Sequence, residues 1–258
     1  MTPTATVDPI ALRLRRLEEI AAAVSASGRA LGLLALGSAA ETARLDAWSD
    51  LDFFVIARPG AKAALVEDLT WLGAAAPLGH AFRNTGDGWK ALFADGVFCE
   101  FAVFEPRELA AIPFAPGRLV WRDAAFDPAL AEPAPRPKAE APDDDWQVGE
   151  ALTNLLVGLG RWHRGERASA FRFIQVYAVD RVIALAGREA PAGGADPFSP
   201  ERRVEARLPA LAPDLAAMMP GVDRSPEAAR AVLAWIERRR PVAPALRAAI
   251  LELCGGER

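Results

Sequence analysis

A chain of 258 residues, 52% of them hydrophobic, with 30 Lys and Arg against 34 Asp and Glu, is long enough for one large core or two modest ones. The net charge of −4 argues against a generic nucleic-acid binder, and two cysteines and two histidines, Cys99, Cys254, His80 and His163, at no ligand spacing argue against a zinc centre or a disulfide framework. No run approaches the roughly 20 apolar residues of a membrane span, and the N-terminus has no signal-peptide apolar region, so the chain is expected to be cytoplasmic with no membrane partner.

In chain order, Asp8 to about Ser27 reads as a helix with Asp8 as its N-cap, Pro9 in the first turn and Leu12, Leu17, Ile20 and Val24 on its buried stripe. "LGLLALG" reads as a buried strand closed by Gly37, Ser38 to Arg44 as a brief helix and "LDFFVIA" as a second strand. Ala61 to Leu72 is predicted to be one helix. Three further strands, "LGHAFR", "WKALFA" and "VFCEFAVF", are separated by "NTGDG" and by the hairpin signal Asp95-Gly96, and "RLVWR" reads as an edge strand. The pattern predicts a mixed sheet with helices rather than a βαβ repeat.

Phe126 to Asp145 holds five prolines and no apolar period, which predicts a linker over 127–145 between domains 1–126 and 146–258. Beyond it the pattern is helical throughout: Trp146 to Trp162, Arg167 to Leu185, Ser225 to Arg239 and Ala243 to Leu253. The fold class expected is therefore α+β, a sheet domain followed by an α-helical bundle. The first domain has 12 basic and 15 acidic residues, the linker 2 and 6, and the helical domain 16 and 13, every basic residue of the last being arginine. That excess makes the helical half a candidate for the acceptor side of a cleft.

Asp50 and Asp52 flank Leu51, so in a strand they leave from one face, roughly 7 Å apart, while Leu51 and Phe53 enter the core. Two such carboxylates call for a cation between them, and a hard divalent ion such as magnesium takes carboxylate oxygen and keeps positions open for phosphate. A two-ion arrangement needs a third carboxylate from a neighbouring strand, for which Glu100, a lone acid within "VFCEFAVF", is the candidate; Glu105 reads as a solvated strand end. Gly37-Ser38, between a strand and a short helix, has the makings of a phosphate cradle.

Gly37-Ser38, eleven residues, then Asp50-Leu51-Asp52 among apolar residues resembles the nucleotidyltransferase signature of the DNA polymerase β superfamily. The "SDLD" wording and the helical half look closest to aminoglycoside and lincosamide nucleotidyltransferases. The resemblance implies that Asp50, Asp52 and Glu100 are catalytic and bind two magnesium ions, that Gly37 and Ser38 hold nucleotide phosphates, and that Glu100 takes the acceptor proton. Many relatives carry an Ala-Arg-Gly-like stretch after Gly-Ser where this chain has "AAETAR", so Arg44 is the substitute considered there, and Ser49 is grouped with the nucleotide-binding residues. The implied reaction moves a nucleoside monophosphate, AMP from ATP or another triphosphate, onto a hydroxyl of a small molecule, with an antibiotic among the acceptors implied. The alternatives are a protein-modifying, antitoxin-like adenylyltransferase and a non-catalytic nucleotide-binding module. Lys90 reads as an edge-strand lysine facing solvent, Trp48 as a ring placed to stack on a base or acceptor, and Arg172, Arg181 and Asp180 as candidates for lining the cleft.

Overall fold

In the computed structural model of the protein, which describes residues 8–133, 142–189 and 199–255, the described residues of the first half form a six-stranded mixed sheet. Its strands are β1 (Ala30–Ala35), β2 (Leu51–Ala57), β3 (Leu78–Arg83), β4 (Gly88–Phe93), β5 (Phe98–Phe104) and β6 (Arg118–Arg122), in the order β3-β4-β5-β2-β1-β6. Neighbours pair antiparallel except β2 and β5, which run parallel. β6 is an edge strand as expected, and β3 is the other edge.

Strand alternation decides the layers. Leu51, Phe53 and Val55 of β2 and Cys99, Phe101 and Val103 of β5 turn to one face. There they meet Leu17, Ile20 and Val24 of α1 (Pro9–Ala26), and Phe53 stacks on Phe101 at 5.1 Å between ring centroids. Asp8 caps α1 by accepting from the Ile10 amide, and Arg16, buried on the same helix, donates to Asp95 in the β4–β5 turn. A smaller core of Leu34, Ile56, Phe104, Phe114 and Phe126 covers part of the opposite face. β1 is therefore buried on both faces, with Leu33 in one core and Leu34 in the other, which is why its sequence is apolar without alternation.

The single helix expected over Ala61–Leu72 is two: after α2 (Gly37–Ala40) come α3 (Lys62–Glu67) and α4 (Thr70–Ala75). Asp68 breaks the run, its carboxylate accepting from both the amide and the hydroxyl of Thr70, a local bond that competes with helix continuation. Glu105 is no solvated strand end. It is buried, takes the Gly60 amide at 2.8 Å and forms a capping box with Glu108 at the start of α5 (Pro106–Leu109).

The chain divides into two compact units, Met1–Pro137 and Lys138–Arg258. Phe126 is buried against Gly32, and Leu130 and Ala131 pack on the same small core, so the start of the expected linker belongs to the first unit's packing; residues 134–141 lie outside the described residues. The second unit is helical: α6 (Asp144–His163), α7 (Arg167–Phe171), α8 (Ala178–Glu189), α9 (Val204–Arg207), α10 (Ala212–Met218), α11 (Ser225–Glu237) and α12 (Pro244–Gly255). Leu152, Leu155 and Leu159 pack with Ile174, Val182 and Trp235 in its core. The helix predicted over Arg167–Leu185 is interrupted between α7 and α8 by a π-helical turn, Arg172–Tyr177, where Ile174 lies so near Gly158 that a Cβ there would stand 2.5 Å from it. Gln175, fully buried in that turn, donates to the Gly221 carbonyl and accepts from its amide. Among the described residues no helix is long and apolar enough to cross a membrane.

Candidate active site

Asp52 leaves β2 on the face opposite the main core, and Asp50 stands two residues earlier, at the mouth of the strand. The loop leading there is shaped locally. Asp46 accepts from the Trp48 amide and the Ser49 hydroxyl, and the Ser49 bond is the chief reason its carboxyl lies below the usual range. Ser49, grouped by sequence with the nucleotide, commits its hydroxyl to this turn; Trp48 projects from it, 89% exposed.

Gly37 reaches Asp52 from the next strand's end. The Leu36 amide donates to the Asp52 carbonyl at 2.8 Å, and Gly37 itself has φ +53°, a left-handed conformation that glycine adopts at least cost. A Cβ at Gly37 would stand 2.9 Å from Asp52 Oδ2, so it is the missing side chain that lets the bend pass this close to that carboxylate oxygen. Ser38 is buried, and the helix it belongs to is four residues long. So short a helix aligns too few peptide dipoles to act as the anion-binding terminus expected of it. Arg44 pairs with Glu41 at 2.7 Å.

Glu100 is the register partner of Asp52 across the parallel β2–β5 pair, so the two carboxylates lie on one face, one strand spacing apart, about 4.8 Å. Lys90 corrects the sequence reading. Its strand, β4, is interior, and Lys90 is the register partner of Glu100, with Nζ 3.0 Å from Glu100 Oε2. Asn84, in the β3–β4 turn, donates to Glu100 Oε1 at 3.0 Å. Asn84 and Lys90 are the partners that sequence reasoning missed. Their only signal was the turn "NTGDG" and a lysine in an apolar strand, and neither reveals strand order.

Beneath the site Cys99 is buried. Burial, with the charges of Asp52 and Asp50 adding to it against a hydrogen bond from Ala91, pushes its thiol up to about 12. It is an inert packing residue rather than a nucleophile.

The donor set decides what cation the site fits. Asp50 and Asp52 offer two carboxylates, the second bordered by Gly37, a donor set that suits a hard divalent ion. Glu100 is turned to Lys90 and Asn84, which each hold one of its oxygens, and each oxygen keeps a further acceptor position. Among the described residues no group of three or more His, Cys, Asp or Glu side chains is placed to hold a metal ion.

The other candidates, in the second unit, have partners there. Arg172 donates to the Tyr177 hydroxyl, Arg181 lies over the Trp146 ring, and burial raises the carboxyl of Asp180.

No protein-family model matches the chain, and no curated protein matches it in sequence. Among solved structures it is similar to the crystal structure of an aminoglycoside 6-adenyltransferase from Bacillus subtilis, at 11% identity and a TM-score of 0.32, over 95% of this chain and 92% of that one. A likeness at that level leaves the functional reading to the residues themselves.

Proposed function

We propose that the protein is a magnesium-dependent nucleotidyltransferase that moves AMP from ATP onto a hydroxyl of a small molecule. The observation that carries this reading is the convergence of Gly37, Asp52 and Glu100 on one sheet face with Asp50 at its mouth: a glycine bend against one acid, a second acid beside it and a third acid one strand away. Asp50 and Asp52 would hold the divalent ion, which when bound neutralises triphosphate charge and polarises the phosphoryl oxygens. In the reaction the acceptor oxygen forms a bond to the α-phosphorus, the bond from that phosphorus to the bridging oxygen breaks, and pyrophosphate leaves with the electron pair. The acceptor's proton passes to the Glu100 carboxylate, whose orientation Lys90 and Asn84 fix. Catalysis of this kind is positioning and charge neutralisation.

The test is pyrophosphate release from ATP and magnesium across a panel of hydroxyl acceptors, with product mass as the second readout. Asp50→Asn and Asp52→Asn should each lower turnover by at least about 10²-fold, the scale of losing one electrostatic stabiliser. Metal-free thermal stability of Asp50→Asn should hold or rise, because the repulsion between the two acids is relieved. A variant that keeps a tenth or more of the turnover, roughly, contradicts the assignment. A second reading, a nucleotide-binding module without turnover, draws on the Lys90–Glu100 pair, since a neutralised Glu100 is a poor proton acceptor. ATP binding without pyrophosphate release for every acceptor would select it.

A further inference from the structure

The face that carries Asp52 continues past Glu100 in two cross-strand rows. One runs Asp52–Glu100–Lys90–Phe82 through β2, β5, β4 and β3, and the next runs Phe98–Leu92–His80 through β5, β4 and β3. Register partners in a sheet put their side chains on the same side, and diagonal neighbours stay within reach of aromatic and long side chains. Phe82, Leu92 and Phe98 therefore form one zigzag of apolar groups that begins beside Glu100. Phe82 is 56% exposed and Leu92 38%, far from the burial such side chains reach elsewhere in this sheet. Single exposed hydrophobes are ordinary, but adjoining ones that lead into a site are the mark of a binding surface.

We propose that this strip is the acceptor platform, and that it takes a neutral alcohol with a flat apolar body, such as an aryl alcohol, rather than a polycation; the proposal rests on the nucleotidyltransferase reading above. Two strand spacings, about 10 Å, separate the strand of Phe82 from that of Glu100, a span that a fused bicyclic body covers. Such a body lying on Phe82 and Leu92 brings its hydroxyl to the Glu100 carboxylate. The charges along the two rows beyond Asp52 favour the same choice. Glu100 is the acid there and Lys90 already pairs with it, so a polycationic acceptor meets an ammonium beside an acid already paired, whereas a neutral ring can lie on Phe82, Leu92 and Phe98 beside that pair and His80. The chemistry is the balanced step given above, with the aryl oxygen as nucleophile: its bond to the α-phosphorus forms, pyrophosphate departs with the electron pair and the hydroxyl proton goes to Glu100.

The experiment uses the full chain with 2-naphthol as the aryl probe, kanamycin as the polycationic probe and a fluorescent ATP analogue as the nucleotide probe. Phe82→Ser and Leu92→Ser alter exposed side chains and should keep the wild-type Tm. Each should weaken 2-naphthol binding by about tenfold, the fold-change of one lost aromatic or apolar contact, and leave the ATP analogue's affinity unchanged. With ATP and magnesium, 2-naphthol should gain the mass of an adenylyl group, that of AMP less one water. The proposal is overturned if 2-naphthol binding ignores both substitutions, if the ATP analogue is weakened instead, which would make the strip a platform for the base, or if kanamycin binds more tightly than 2-naphthol. Pyrophosphate release with another acceptor and no 2-naphthol binding removes the platform and leaves the nucleotidyltransferase reading standing. Binding of 2-naphthol through Phe82 with no transfer from any nucleoside triphosphate removes the nucleotidyltransferase reading and leaves the binding surface.

Discussion

Gly37 shows how far one absent side chain shapes this site. Its φ of +53° costs an L-residue about 1–2 kcal/mol, and a Cβ there would press within 2.9 Å of Asp52 Oδ2, so the Asp52 carboxylate would have to turn away. Gly37→Ala should therefore lower stability by about that amount and lower turnover by more than the stability loss explains, because the displaced atom belongs to an acid proposed to hold the divalent ion. Chemical denaturation and a pyrophosphate-release assay on the same preparation check it: normal turnover in a destabilised variant would mean that Gly37 serves only the backbone. Glu105 and Glu100 complete the residue scale, five positions apart on and after one strand with opposite fates. Glu100 faces the site, while Glu105 turns back to cap the next helix and hold Gly60.

At the scale of elements, the π-helical turn Arg172–Tyr177 and Gly158 depend on each other. Gly158→Ala would push a methyl to within 2.5 Å of Ile174 in a packed core, an overpacking that should destabilise the chain by about 1–3 kcal/mol. Gly149, on the same helix with open space around it, is the control, and Gly149→Ala should stabilise by about 0.5–1 kcal/mol. Equal midpoints for the two variants in urea would contradict this account. The start of α6 makes a pH prediction. The Arg240 guanidinium, with Arg188 assisting and desolvation opposing, holds the Asp144 carboxyl below its ordinary value of 3.8. A carboxyl lowered in the folded state favours folding above its unfolded value and loses that contribution as pH falls through the folded one. Asp144→Asn should thus lower Tm at pH 7, and the gap to wild type should close as pH falls below 3.8; a gap that persists in acid would show that Asp144 acts through packing. Much at this scale was legible beforehand: the Asp8 cap, the alternation of β2 and β5, the Asp95-Gly96 turn and the late helices all announce themselves locally. The capping box at Glu105-Pro106-Arg107-Glu108 is also written in the sequence, as two acids three residues apart around a proline in the first turn. The interior place of β4, and with it the meeting of Lys90 and Glu100, was not, because strand order is settled by tertiary packing. The π turn leaves no mark on a helical apolar period.

For the whole molecule, the informative fact is how the cores are composed. The large core of the first unit and its small companion draw on residues from Leu17 to Phe126, and the core of the helical unit draws on residues from Val148 to Cys254. A unit whose apolar groups find their partners within its own stretch of chain has what it needs to fold alone. The place to cut it is set by packing rather than by proline content. Phe126, buried against Gly32, shares its small core with Leu130 and Ala131 from the stretch that composition assigns to the linker, and the Ala131 carbonyl accepts from Gly117. A fragment ending at Pro133 should show one cooperative unfolding transition by calorimetry and circular dichroism. A fragment ending at Phe126 leaves that ring at a frayed end and re-exposes the surface under Leu130, and should be less stable by about 1–3 kcal/mol, the scale of exposing one large apolar side chain. Equal midpoints for the two fragments would place the boundary at Phe126, where proline content alone puts it. Failure of both to unfold cooperatively would mean that the sheet unit needs the helical one to fold at all.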